Sequence, residues 1–340
     1  MHVAILSPVA WRTPPRHYGP WEQVTSNLAE GLVDAGIEVT LFATRDSLTK
    51  STLDSVIPTG YEEDRTIDAK VAEALHVSNC FEKADKFDII HNNFDFIPLT
   101  YSKHTSTPVL TTIHGFSSPS IIPVYEKYND VSHYVSISNS DRNSRLNYVS
   151  TIYHGIDIKH FTFSNSHNNY LVFLGRIHPD KGVHNAIEIA RRSGKELVIA
   201  GVIQDKNYYR EFVYPYIDGK QIHYTGSINP IERNKLLGKA QALLHPVSFK
   251  EPFGLSVIES MACGTPPIAF NKGSMSEIIT SGHDGFLVST VDEAVARLDN
   301  IDSVNRINCR TTVEQRFTSE RMIREYISIY NRIITDYSHL

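Results

Sequence analysis

The chain has 340 residues, and because a single hydrophobic core usually stops growing near roughly 250 to 300 residues, we expect two domains. Hydrophobic residues make up 41% of the chain and charged residues 21%, a balance that excludes wholesale disorder. The 33 basic and 38 acidic side chains give a net charge of −5, and no run of five like charges occurs, which argues against nucleic acid as a partner.

Cysteine usage and hydropathy indicate the compartment. Cys80, Cys263 and Cys309 include no C-x-x-C pair, so neither a disulfide framework nor a zinc ribbon is expected. No apolar run approaches the roughly 18 residues that span a bilayer, and the first residues lack the basic region of a signal peptide. We therefore expect a cytoplasmic protein. Aromatic residues and arginines mix over residues 11–21, which leaves peripheral contact with the inner membrane face open.

Short β-rich apolar runs alternate with longer segments of helical period, which is typical of parallel sheets buried on both faces. The first half predicts strands at residues 3–6, 39–43, 87–91, 109–113, 134–137 and 149–153. The second half shows the same alternation and predicts strands at residues 170–174, 197–200, 222–225, 242–245, 267–270 and 286–288. The fold class predicted is therefore α/β, with two doubly wound, Rossmann-like domains.

A polar stretch over residues 160–169, rich in Asn and Ser, lacks any period and is expected to be the linker and hinge. It divides an N-terminal domain at 1–160 from a C-terminal domain at 161–319. Apolar residues at helical spacing, Met322, Tyr326, Ile329 and Ile333, predict a final helix at 320–337 within a last segment of 320–340.

The first segment with chemical content follows the predicted strand at 170–174. It reads Gly175-Arg176 and continues to Lys181-Gly182 before a helical run. Two cations near a helix N-terminus, with its unpaired N–H groups, favour binding of an anion. The alternative is ordinary surface charge on a loop. Neither the G-x-G-x-x-G fingerprint nor the Walker motif is present, which weakens the usual dinucleotide and P-loop interpretations.

The second segment holds two carboxylates around a short predicted helix, Glu251 before it and Glu259 about one turn inside it. At that depth a carboxylate can accept two hydrogen bonds from a vicinal diol, whereas Glu251 would face a cleft. The backbone N–H groups of Phe253, Gly254 and Leu255 would point the same way. The alternative is a solvent-facing helix with incidental acids.

Together these segments resemble the retaining glycosyltransferases of family 4, in particular through E-P-F-G-L-x-x-x-E between Glu251 and Glu259. The likeness extends over nearly the whole chain. In the first half it rests on Tyr18-Gly19-Pro20-Trp21-Glu22, Thr112-Ile113-His114-Gly115, Ser136 to Ser140, and His154-Gly155-Ile156-Asp157. The resemblance implies the GT-B fold, with two Rossmann-like domains facing across a cleft and the final helix returning to the N-terminal domain.

The resemblance also implies roles in binding a nucleotide diphosphate sugar, UDP- or GDP-linked. Arg176 and Lys181 would bind the diphosphate. Glu259 would bind the ribose hydroxyls and Glu251 the hydroxyls of the donor sugar. His114 would reach a sugar hydroxyl near the reacting carbon, although a strand-end histidine satisfied by backbone is the alternative. These cations, with Glu251 and His114, form the expected catalytic set.

Further positions are expected in the N-terminal domain. Gly19 would let its loop approach the diphosphate, while Pro20 stands where the family usually has a second glycine and removes one amide donor. His154 replaces a usual Asn and is expected to lie farther from the chemistry. The acceptor would be bound by His17, Tyr18, Phe94 and Asp95, with Arg16 and Asn93 also candidates.

The expected activity is retaining transfer of a hexosyl unit to a hydroxyl acceptor, which is a glycan, a lipid-linked sugar or a small molecule. No protein nucleophile is required if the leaving phosphate accepts the acceptor's proton. No metal or other cofactor is expected, since the sequence has no D-x-D and no carboxylate or histidine cluster at ligand spacing. The alternatives are a nucleotide-sugar epimerase, for which no acid/base pair is identifiable, and a non-catalytic nucleotide-sugar binding protein.

Overall fold

The computed structural model describes residues 1–337, which form two compact units. The N-terminal unit comprises Met1–Gly155 together with the last helix from Ser319, and the C-terminal unit comprises Ile156–Thr318. None of the helices in the described part of the chain is long and apolar enough to cross a membrane. Cys80, Cys263 and Cys309 are all free and buried.

The strands are β1 (His2–Leu6), β2 (Glu38–Phe42), β3 (Thr52–Asp54), β4 (Ile89–Asn92), β5 (Val109–Ile113), β6 (Ser132–Ser136), β7 (Tyr148–Thr151), β8 (Tyr170–Leu174), β9 (Glu196–Ala200), β10 (Ile222–Gly226), β11 (Ala242–His245), β12 (Pro267–Phe270) and β13 (Phe286–Val288). The α-helices are α1 (Pro20–Asp34), α2 (Ala69–Phe81), α3 (Ile122–Lys127), α4 (Val183–Ser193), α5 (Lys206–Tyr208), α6 (Pro230–Lys239), α7 (Leu255–Ala262), α8 (Met275–Ile278), α9 (Val291–Leu298), α10 (Arg306–Arg316) and α11 (Ser319–Tyr337).

Each unit is built on one parallel sheet. The N-terminal sheet has seven strands in the order β3-β2-β1-β4-β5-β6-β7, and the C-terminal sheet has six in the order β10-β9-β8-β11-β12-β13. In both sheets the order reverses beside the first strand of the unit, which creates the switch point where ligands bind in doubly wound folds. The prediction of two Rossmann-like domains is confirmed.

The N-terminal sheet is buried on both faces, as the unbroken apolar run of β1 requires. Val3 and Ile5 belong to a core cluster with α1 and α11, whereas Ala4 and Leu6 belong to a cluster that includes residues of α2. Alternate residues of a strand point to opposite faces, so one strand supplies both cores. The buried stripe of α11 joins the first cluster through Met322, Ile323, Tyr326, Ile329, Tyr330 and Ile333. Each such fully buried apolar side chain contributes roughly 1.5 to 3 kcal/mol.

The boundaries between the units differ from those expected from the sequence. The chain leaves the N-terminal unit after Gly155 rather than after residue 160, and α11 begins at Ser319 rather than at residue 320. The stretch at 160–169, expected as a linker, is bonded to the C-terminal unit. The N–H of Ser164 donates to Cys263 O at 3.1 Å, and that of Asn168 donates to Lys239 O at 2.8 Å.

The predicted strands agree with the observed ones to within two residues at each end. The exception is β3 (Thr52–Asp54), which the sequence analysis missed. A three-residue edge strand with none of its residues buried is too short to show a hydrophobic period.

Candidate active site

Two loops meet at the carboxyl edge of the C-terminal sheet because their strands, β8 and β11, are neighbours. The backbone N–H of Ser248, after β11, donates to the carbonyl oxygen of Asp180, after β8, at 2.8 Å. This bond holds the loop that carries Lys181 against the loop that carries Glu251.

Lys181 and Glu251 form a largely buried ion pair. Lys181 Nζ lies 2.5 Å from Glu251 Oε2, and the two side chains are 17% and 9% exposed. His245 Nε2, at the end of β11, lies 3.4 Å from the same oxygen. Burial alone raises the pKa of Glu251, but the charge of Lys181 and the contact with His245 outweigh it and lower the pKa to about 2. The ligands expected for these two residues differ, and neither their pairing nor the contact with His245 follows from a sequence motif.

Arg176 lies on the same loop as Lys181 but has a different partner. Its half-buried guanidinium hydrogen-bonds the side-chain oxygen of Gln204, in the segment after β9. The structure thus places the two predicted cations on one loop, with Lys181 held by a carboxylate and Arg176 by a neutral amide.

Glu259 lies in α7 and is buried, with 6% of the residue exposed. Its Oε1 is 3.2 Å from a guanidinium nitrogen of Arg233 on α6. Burial raises the pKa of Glu259, and the positive charge of Arg233 opposes that rise. Arg233 is not among the predicted site residues, because it lies in a different element and in no recognisable motif.

The backbone at the start of α7 requires a glycine. Gly254 precedes the helix with φ of 98°, and a Cβ there would lie 2.6 Å from Met275 Cε. Phe253 is buried, and its carbonyl accepts a hydrogen bond from Ser274 Oγ at 2.6 Å. Leu255 is the first helical residue. The predicted Phe253-Gly254-Leu255 segment therefore forms the turn into α7, between the two glutamates.

In the N-terminal unit, Gly19 precedes α1 with φ of 150°, and a Cβ there would lie 2.9 Å from both Glu22 Oε2 and Pro15 Cβ. Pro20 is the first residue of α1. A proline is tolerated there because the first helical N–H has no intrahelical partner. The replacement of the family's second glycine is thus compatible with the local fold.

Glu22, in the first turn of α1, is only 3% exposed. Its Oε1 accepts the backbone N–H of Trp11 at 3.2 Å. Burial raises the pKa of Glu22 to about 7, which is the opposite direction from the shift at Glu251.

His114 follows β5 and is 7% exposed. Its Nε2 lies 3.0 Å from Asn93 Oδ1, its Nδ1 lies 3.3 Å from His154 Nε2, and Trp21 stacks on its ring at a centroid distance of 5.5 Å. Burial lowers the pKa of His114 to about 3. His154, expected to lie farther from the chemistry, stacks on His114 with ring centroids 5.2 Å apart. The ring of His114 bonds side chains, not the backbone as in the alternative interpretation.

The four predicted acceptor residues differ in exposure. His17 is exposed, and Tyr18 is half-buried with its ring 6.5 Å from that of Trp11. Phe94 is 6% exposed and belongs to the apolar cluster of the α2 face, which gives it a packing role. Asp95 accepts the Tyr125 hydroxyl at 2.7 Å, and burial raises the pKa of this carboxyl.

Within residues 1–337 no group of three or more His, Cys, Asp or Glu side chains is arranged to hold a metal ion. The charges at the carboxyl edge of the C-terminal sheet include the Lys181–Glu251 and Arg233–Glu259 pairs and Arg176.

Comparisons with known proteins identify related families. The family of glycosyl transferases group 1 matches residues 156–305, and glycosyltransferase family 4 matches residues 21–160. A glycosyltransferase of Methanocaldococcus jannaschii is 23% identical over 96% of this chain and 97% of its own length.

Two solved structures share the fold across the whole chain. Sucrose-phosphate synthase from Thermosynechococcus elongatus superposes with a TM-score of 0.80 at 17% identity, covering 99% of this chain and 100% of its own. Anabaena HepE in complex with UDP and glucose gives 0.76 at 17% identity, covering 98% and 100%. The chain belongs to the family 4 glycosyltransferases and has the GT-B fold.

Proposed function

We propose that the protein transfers a hexosyl unit from a nucleoside diphosphate sugar to a hydroxyl acceptor, with retention of configuration and without a metal ion. The observation that carries the proposal is the buried Lys181–Glu251 pair, held between two loops at the ligand-binding edge of the C-terminal sheet. A UDP-linked donor is favoured, because a structure of the same fold was solved with UDP and glucose.

Lys181 and Arg176 bind the diphosphate. The ammonium of Lys181 has three donors, so it can keep its bond to Glu251 and still donate to phosphate oxygens. Negative charge grows on the leaving diphosphate as the glycosidic bond breaks. Cations fixed beforehand therefore stabilise the transition state more than the ground state.

Glu251 binds the donor sugar and Glu259 binds the ribose. Both described contacts of Glu251 use Oε2, which leaves Oε1 to accept a sugar hydroxyl. The low pKa of Glu251 keeps it an acceptor throughout the neutral pH range. Glu259 is held by Arg233 through one oxygen, so its other oxygen can accept from the ribose diol.

The N-terminal unit supplies neutral groups. Gly19 allows close approach of its loop to phosphate. His114 is neutral, and its ring stacks on that of Trp21, two residues after Gly19. His17, Tyr18 and Asp95 are the proposed acceptor contacts. Attack from the face of the leaving group, with a phosphate oxygen taking the acceptor's proton, requires no protein nucleophile and gives retention.

The test is a thermal-shift screen of UDP-glucose, UDP-galactose, UDP-N-acetylglucosamine and GDP-mannose, followed by transfer assays on a panel of glycosides. We expect one donor at 100 times its Kd to stabilise the fold by about 2.7 kcal/mol. Proton NMR of the product should show the anomeric configuration of the donor. An inverted product would contradict retention, and an isomerised donor would establish an epimerase. Binding with no turnover on any acceptor would establish a non-catalytic binding protein.

A further inference from the structure

The side chain of Asn93 is buried beside His114 and uses only part of its hydrogen-bonding capacity. The residue is 1% exposed. Its Oδ1 lies 3.0 Å from His114 Nε2, while its Nδ2 has no partner among residues 1–337. Buried amide nitrogens are almost always paired, so an unpaired one at the ligand-binding edge of a sheet points to a ligand.

His114 itself has no donor left for a substrate. An amide oxygen can only accept, so Nε2 of His114 carries the hydrogen and donates it to Asn93. The other ring nitrogen, Nδ1, then accepts from His154 Nε2 at 3.3 Å. Because burial keeps the ring neutral, it has a single N–H, and that N–H is used. The two amide hydrogens of Asn93 remain.

The backbone around Asn93 is fixed on both sides. Its own N–H donates to Leu6 O at 2.9 Å, which continues the pairing of β4 with β1. The preceding Asn92 accepts the N–H of Phe94 at 2.9 Å and donates to Asp95 O at 2.7 Å. Asp95 has φ of 153°, a conformation that an L residue adopts only where its surroundings impose it. The loop is therefore built to hold Asn93 in one position.

We propose that Asn93 donates its amide N–H to a hydroxyl of the sugar substrate while its oxygen fixes the tautomer of His114. This inference rests on the proposed function, since it needs a substrate that presents a hydroxyl to the N-terminal unit. It moves the hydroxyl contact expected for His114 to the neighbouring amide and makes His114 a positioning residue. The hydroxyl belongs to the donor sugar or to the acceptor, and the chemistry of recognition is the same for both.

The first experiment compares Asn93→Asp, which keeps an acceptor for His114 and removes the donor, with Asn93→Ala. The control is Asn79→Ala, since Asn79 is a mostly buried asparagine of the same unit that donates to Asp54 at 2.9 Å. Melting curves establish the folded fraction of each variant. With UDP-glucose and a glycoside acceptor, both Asn93 variants should lose roughly 10- to 100-fold in kcat/KM, whereas the control should stay within twofold. Retention of activity within threefold by both would overturn the proposal.

Deoxy analogues identify the hydroxyl. On one monodeoxy UDP-glucose or monodeoxy acceptor, the kcat/KM of wild type should fall by about the factor that Asn93→Ala causes with the parent substrate. For Asn93→Ala, replacing the parent substrate by that analogue should lower kcat/KM little further. If the variant and a deoxy donor show this non-additivity, in transfer and in the slow hydrolysis of UDP-glucose, the hydroxyl belongs to the donor sugar. If the variant and a deoxy acceptor show it, the hydroxyl belongs to the acceptor. Equal losses on every analogue by wild type and variant would overturn the contact.

The tautomer of His114 can be measured without an activity assay. Nitrogen-15 NMR of labelled protein should show His114 neutral with hydrogen on Nε2, and Asn93→Asp should raise the pKa of His114 because a carboxylate favours the charged ring. Hydrogen on Nδ1 would overturn the assignment of Asn93 as a donor to substrate. If wild type has the expected tautomer but acts on no nucleotide sugar, the proposed function fails instead.

Discussion

The carboxyl edges of the two sheets have similar strand topology, but the pKa values of their buried side chains shift for different reasons. In the C-terminal unit, Glu251 and Glu259 lie against Lys181 and Arg233, and the charge of Lys181 helps to lower the pKa of Glu251 to about 2. In the N-terminal unit, burial dominates: it lowers the pKa of His114 to about 3 and raises that of Glu22 to about 7. We call the carboxyl edge of the C-terminal sheet, with its Lys181–Glu251 and Arg233–Glu259 pairs, the charged edge. At His114 and Glu22 of the N-terminal unit, burial governs the pKa instead. In the proposed function, Lys181 and Arg176 bind the diphosphate of the donor, and the neutral groups bind hydroxyls.

The largest effect should come from removing a cation of the charged edge. We expect Lys181→Ala and Arg176→Ala each to lower kcat/KM by roughly 10² to 10³, the scale for one preorganised charge stabiliser. Steady-state kinetics with UDP-glucose measures this, and Lys220→Ala, at an exposed lysine of the same unit, is the control. Activity within threefold of wild type for both variants would remove the diphosphate assignment.

Lys181→Ala also leaves Glu251 buried without its cation, which costs stability. The double variant Lys181→Ala/Glu251→Gln separates the two effects. It should recover thermal stability relative to Lys181→Ala but not activity. Recovery of activity together with stability would show that the lysine acts through the fold alone.

The two glutamates of the charged edge should differ in kinetics. Glu259→Gln should weaken binding of UDP-glucose and of UDP alike, by roughly 10- to 100-fold, because ribose contacts are the same in the ground and transition states. Glu251→Gln should chiefly lower kcat and leave the Kd of UDP nearly unchanged. Isothermal titration with UDP measures both, with Glu188→Gln, at an exposed glutamate of α4, as the control. A larger loss of UDP affinity for Glu251→Gln than for Glu259→Gln would reverse the assignment.

The contrast between the edges can be tested through pH. The pKa of Glu22 is raised to about 7 in the fold, so its contribution to stability is complete below its ordinary pKa of 4.5 and is lost as pH rises toward 7. Relative to Glu22→Gln, wild type should lose about 3 kcal/mol of unfolding free energy between pH 4.5 and pH 7.5. Glu251, whose pKa is lowered, contributes stability that is present above pH 4.5 and lost as pH falls toward 2. Urea unfolding of wild type and Glu22→Gln at several pH values measures the Glu22 term, and parallel curves would show that Glu22 is ionised in the fold.

Local patterns predicted most of the fold because each buried parallel strand is a nearly continuous apolar run. They placed β5, β8, β11, β12 and β13 at their observed bounds. They did not find the boundary at Gly155, because that boundary is set by which unit the following residues bond to. The stretch at 160–169 is polar in sequence, yet its amides are bonded to Cys263 and Lys239, far along the chain.

Sequence patterns select candidate site positions within one segment but do not show the contacts between two segments. Motif positions such as Lys181, Glu251 and Gly254 could be selected from spacing and from the family resemblance. Their partners could not: the pairing of Glu259 with Arg233, and of His114 with His154, joins segments that are 26 and 40 residues apart. Only folding shows which of the charges are compensated.

The smallest expected effect is that of a chelator. If Arg176 and Lys181 bind the diphosphate, no divalent ion is required. EDTA should then leave the transfer rate within twofold of its initial value. Residues 1–337 include no group of three or more His, Cys, Asp or Glu side chains placed to hold such an ion. The measurement is the rate with UDP-glucose after dialysis against EDTA, and again after addition of Mg²⁺ or Mn²⁺. Loss of turnover restored by Mn²⁺ would mean that the two cations do not suffice. The same addition of Mg²⁺ or Mn²⁺ is made to Lys181→Ala. If the defect of this variant lies at the diphosphate, the added metal should partly replace the missing charge and raise the transfer rate.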